Sequence, residues 1–80
     1  MIKAIIGNNA SRSAYNMEES KTIREALETA DVDYSRGMIS LDGSTVSPGD
    51  LNKTFYELGY TGEPGKDKCV LTVLAKLDNA

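Results

Sequence analysis

The chain has no histidine and a single cysteine, Cys69. The first absence removes the commonest general base and the commonest zinc ligand. The second excludes an internal disulfide, so the core alone must hold the molecule together. There is no run of lysine and arginine either. Nine basic residues are scattered among twelve acidic ones, and the formal net charge is -3. Proteins that grip phosphate backbones carry a Lys/Arg-rich face, so nucleic acid is excluded as a main partner. No apolar run approaches the roughly 20 residues that cross a bilayer, and no basic start leads into a long apolar segment. The expectation is a soluble, cytoplasmic protein with no membrane partner.

What is present is ordinary globular material. Eighty residues make one domain, 1–80, and 40% of them are hydrophobic and 26% charged. Disorder requires low hydrophobicity together with high net charge, and this chain has neither. A chain this short buries a modest fraction of its surface, so its stability depends on a well-patterned core.

The pattern can be read along the chain. In Met1 to Gly7, Ile2, Ala4 and Ile6 share one face by strand period, and Ile5 lies on the other. Such a strand suits a central position covered on both sides. The Gly7-Asn8-Asn9 cluster favours a turn, and Ser11 to Met17 returns as a more polar strand suited to an edge. Thr22-Ile23-Arg24-Glu25 has the form of a capping box, with Ser20 as an alternative cap. Ile23, Ala26, Leu27 and Ala30 follow at helical spacing, so a helix of two to three turns is predicted to stop close to Ala30.

Gly37 to Leu41 is a short strand, Asp42-Gly43 is a two-residue hairpin signal, and Ser44 to Val46 begins the return arm. Asp50 to Gly59 reads as a short helical turn, capped by Asp50, stopped by Gly59 and buried through Leu51, Phe55 and Leu58. A Gly-rich, charged connector runs from Tyr60 to Lys68. Cys69 to Leu77 is apolar on both faces over most of its length and is expected to be the most buried strand. Leu27, Ile39, Val70 and Val73 are assigned to the core.

This order of strand, strand, helix, hairpin, helical turn and strand resembles the ubiquitin-like β-grasp: an α+β fold with a mixed sheet of four to five strands and one main helix across one face. The segment Ile39-Ser40-Leu41-Asp42-Gly43-Ser44-Thr45-Val46 resembles the L-N-G-x-x-V stretch of small sulfur-carrier proteins of the ThiS and MoaD type. The resemblance implies that the first and last strands lie parallel at the sheet centre. Carriers of that type end in two glycines, which thread the terminal carboxylate into a narrow enzyme channel. Here the sequence ends Lys76-Leu77-Asp78-Asn79-Ala80.

Candidate chemistry is sparse. Cys69 is either a thiol activated by Lys66 and Lys68 or a small hydrophobe within the sheet, and the second reading fits an apolar strand better. Asp31-x-Asp33 begins a calcium-loop pattern, but no third ligand or glycine follows at the required offsets. Gly62-Glu63-Pro64-Gly65-Lys66 lacks the Ser or Thr with which a phosphate-binding loop ends. No cofactor, metal site or enzymatic activity is therefore expected. A non-catalytic module that binds another protein is the favoured function, through the second strand and the Tyr60 to Lys68 loop. Its candidate contact residues are Arg12, Tyr15, Tyr60, Lys66 and Lys68. The alternative is a carrier or modifier that donates its C-terminus.

Overall fold

The computed structural model describes residues 1–8, 10–35 and 37–75. Five strands and one helix account for about half of them: β1 (Ile2–Asn8), β2 (Arg12–Met17), α1 (Ile23–Thr29), β3 (Gly37–Leu41), β4 (Ser44–Val46) and β5 (Lys68–Ala75). A 3-10 turn over Pro48–Asn52 follows β4. The strands form one mixed sheet in the order β2-β1-β5-β3-β4. β1 and β5 are parallel, as the resemblance implies, and every other pairing is antiparallel.

Local chemistry sets both ends of the helix. The Thr22 hydroxyl accepts from the Glu25 amide at 3.1 Å, and the Glu25 carboxylate accepts from the Thr22 amide at 3.0 Å. This is the predicted capping box. At the other end Asp31 takes a left-handed conformation, φ 55°. The Asp31 amide donates to the Glu28 carbonyl and the Val32 amide to the Leu27 carbonyl, so α1 closes in a Schellman motif with aspartate in the place glycine usually holds. A seven-residue helix cannot persist alone. Ile23, Ala26 and Leu27 bury its inner stripe against Ile2, Ala4 and Ile6 of β1, Leu71 and Val73 of β5, and Ile39 and Leu41 of β3.

The hairpin between β3 and β4 turns at Asp42 and Gly43, whose φ values of 51° and 87° are those of the predicted tight turn. The following segment differs from expectation. The 3-10 turn starts at Pro48 with Ser47 at its cap position, so Asp50 lies inside the first turn rather than capping it. Proline at the first helical position, with its φ already set and no amide to satisfy, moves the start upstream. A second capping box, not anticipated, then opens at Thr54. Its hydroxyl accepts from the Glu57 amide at 3.1 Å, and the Glu57 carboxylate accepts from the Thr54 amide at 3.0 Å. Phe55 is buried, and Gly59 ends the segment at φ 101°.

The sheet has a core on one side only, and this overturns two expectations. β1 is not covered on both sides, and β5 is not buried on both faces. Cys69, Leu71 and Val73 point into the core, while Val70 is 37% and Leu74 43% exposed. Val70 is therefore not a core residue; Leu27, Ile39 and Val73 are. The physical reason is that the described residues supply one short helix, which covers one face. The C-terminal difference from the sulfur carriers concerns residues 76–80, which lie outside the described residues, as does the continuation of the last strand to Leu77.

Candidate interaction site

The uncovered face follows from strand alternation. Positions of β1 on the face away from the helix are Lys3, Ile5 and Gly7; from β5 they are Lys68, Val70, Thr72 and Leu74; from β3, Met38 and Ser40; from β2, Arg12, Ala14 and Asn16. Register sets their neighbours. Ile5 stands between Ala14 and Val70, and Met38 stands beside Leu74. Met38 is 56% exposed. Lys3, Ile5, Lys68 and Val70 share an open depression of ≈ 300 Å³ with Asp42 and Cys69 at its rim.

The five anticipated contact residues do not form one surface. Arg12 and Lys68 lie on the open face. Tyr15 alternates to the opposite face of β2, where it is half-buried against the core. Tyr60 packs edge-on against Phe55, with ring centroids 6.4 Å apart, and donates its hydroxyl to the Asp42 carboxylate. Burial, then that hydrogen bond, holds the Tyr60 phenol well above its ordinary value of 10.0. Lys66 is exposed in the loop, where its backbone closes a turn with Glu63 and Gly62.

The residues missed at the sequence level are Ile5, Met38, Val70 and Leu74. Period-two alternation did place Ile5 away from the inner face. Nothing in the strand sequences themselves says that this outer face lacks a cover.

Cys69 is buried, and burial followed by the nearby Asp42 charge pushes its thiol up to about 12. A thiol so placed is not the thiolate that nucleophilic or redox chemistry uses. Among the described residues no group of three or more His, Cys, Asp and Glu side chains is arranged to hold a metal ion. No described helix is long and apolar enough to cross a membrane. A larger cleft of ≈ 510 Å³ lies at the far end of the inner face, between Ser13 and Tyr15 of β2 and Asp31 and Val32 after the helix. No protein-family model matches the chain, and no curated protein or solved structure is significantly similar to it.

Proposed function

We propose that the chain is a ubiquitin-like β-grasp domain, related in shape to the ThiS and MoaD type, and that it works as a non-catalytic module binding another protein through the open face of its sheet. The parallel β1–β5 pair at the heart of the sheet, with the helix on one side, supports the fold assignment. The observation that carries the function is the set of exposed apolar side chains Met38, Val70 and Leu74 on that face, with the half-buried Ile5 beside Val70. Apolar side chains gathered on one surface mark contact sites more often than isolated ones do, and a strand-built surface fixes them without the entropy cost of ordering a loop.

The test is affinity capture from the source cell with the wild-type chain and with Met38→Glu/Leu74→Glu, compared by quantitative mass spectrometry. Both positions are exposed, so the variant should fold. The expected result is a protein retained by the wild type and lost from a variant that melts normally. Equal retention by both would place the binding surface elsewhere.

A further inference from the structure

The strands carry an unusual charge distribution. None of the five contains an aspartate or glutamate, and the charged residues they hold are Lys3, Arg12 and Lys68. All three project from the open face. The chain as a whole is acidic, yet the strands place three cations and no carboxylate beside the uncovered apolar side chains. Arg12 sits on an edge strand, where a charge discourages edge-to-edge pairing. That explanation does not reach Lys3 and Lys68. They are on two of the inner strands and are direct neighbours in the parallel register. Like charges placed side by side on a sheet repel, and neither lysine makes an ion pair among the described residues. Asp42 lines the same depression but forms no ion pair with either. Its carboxylate is engaged by the Val70 amide at 2.8 Å and by the Tyr60 hydroxyl.

Resting on the reading of the open face as a docking surface, we infer that its partner is an acidic protein segment, with Asp or Glu side chains set against Lys3 and Lys68 beside apolar side chains that cover Ile5, Val70, Met38 and Leu74. Such a partner relieves the lysine repulsion that the isolated domain retains, and electrostatic complementarity of this kind sets on-rate and selectivity. The other occupants fit the face less well. A second copy docked by this face would oppose cations to cations. Single-stranded nucleic acid would need aromatic side chains for bases to stack on, and the face has none. Binding to a bilayer surface draws on an amphipathic helix or a lipid anchor that sinks below the headgroups, and this surface is a sheet.

The test is a selection of short random peptides on the immobilised full chain, followed by affinity measurements with the enriched peptides synthesised singly. Three proteins are compared: wild type, Lys3→Glu/Lys68→Glu and Met38→Glu/Leu74→Glu. Lys3→Gln/Lys68→Gln serves if charge reversal disturbs folding.

The expected peptides place Asp or Glu beside Leu, Ile, Met or Phe. Their binding should weaken as salt rises, drop by about tenfold or more in Lys3→Glu/Lys68→Glu, and vanish in Met38→Glu/Leu74→Glu. Peptides that need Met38 and Leu74 but contain no acid, and that bind the charge-reversed protein equally, would overturn the acidic partner and leave the docking face standing. Failure to find any peptide that depends on Met38 and Leu74 would overturn both. Two controls can also overturn the acidic partner. Lysine-dependent pelleting with phosphatidylserine vesicles, without acidic-peptide binding, would replace the protein partner by a membrane surface. A concentration-dependent dimer abolished by Leu74→Glu would replace it by a second copy.

Discussion

Tyr60 and Asp42 are hydrogen-bonded to each other across the end of the sheet, phenol to carboxylate, although 18 residues separate them in sequence. The second Asp42 oxygen accepts from the Val70 amide, and the Asp42 amide donates to the Val70 carbonyl at 2.9 Å. One aspartate thus ties the hairpin turn, the start of β5 and the 60–67 connector together. A connector that reads as loose in sequence is pinned at its first residue. It is pinned again at Asp67, whose carbonyl accepts from the Lys3 amide at 2.8 Å.

Removing the phenol should therefore loosen the connector more than the core. Tyr60→Phe is expected to cost about 1 kcal/mol and to raise amide exchange at residues 61–66 above that of the sheet. Asp42→Ala should cost more than Asp42→Asn, because asparagine tolerates the left-handed backbone that the turn demands and alanine does not. Denaturant unfolding of the three variants ranks them.

Stability should fall at alkaline pH. Tyr60 and Cys69 both have values raised above the ordinary 10.0 and 9.0. A raised value means that the folded state favours the neutral form. The associated stability is complete below the ordinary values and is lost as pH climbs through them toward the raised ones. Unfolding midpoints should hold steady from neutrality to about pH 9 and decline above it. Cys69→Ala should flatten part of that decline. An unchanged slope would mean that the thiol is not protected.

At the acid end the direction reverses. Glu25 and Glu57 are lowered from 4.5 chiefly by the backbone and hydroxyl hydrogen bonds of their capping threonines. Their contribution is present above that value and disappears as pH falls below it. Both carboxylates are exposed, so the effect should be local. Nuclear magnetic resonance titration is expected to show the Thr22 and Thr54 amides shifting together with their partners below pH 4.5.

The two faces of the sheet should respond oppositely to truncation. Leu27→Ala and Leu71→Ala remove fully buried side chains and are expected to cost about 2–5 kcal/mol each. Val70→Ala, on the open face, should cost under about 1 kcal/mol while weakening partner binding. Thermal melts decide it, and a large loss at Val70 would show that the outer face is covered in the isolated domain.

Glycine at position 37 is required by close approach. A Cβ there would meet the Leu74 carbonyl oxygen at 2.7 Å and the Val73 Cγ1 at 2.7 Å. Gly37→Ala should push β3 away from β5 and cost about 1–3 kcal/mol, whereas Gly49→Ala, which meets nothing within 4 Å, should be near neutral by the same melt.

Much of the fold was legible in the sequence because its signals are local. Thr22 and Glu25 are three residues apart, Asp42 and Gly43 are adjacent, and the stripe of Ile23, Ala26 and Leu27 spans little more than one turn. Their geometry depends on near neighbours, so the capping box, the hairpin and the inner helix face follow from residue types and spacing. The strand period likewise determined that Ile2, Ala4 and Ile6 share a side. What tertiary structure decided is which sides of the strands are covered. Val70 and Val73 are the same residue type three positions apart in one strand, yet Val73 is buried and Val70 is not. The difference arises because the one helix docks on a single face. The same holds for Lys3 and Lys68, which are 65 residues apart in sequence and become neighbours only when β1 and β5 pair in parallel. Burial and charge clustering are properties of the assembled sheet, since they depend on chain segments brought together over long sequence separations.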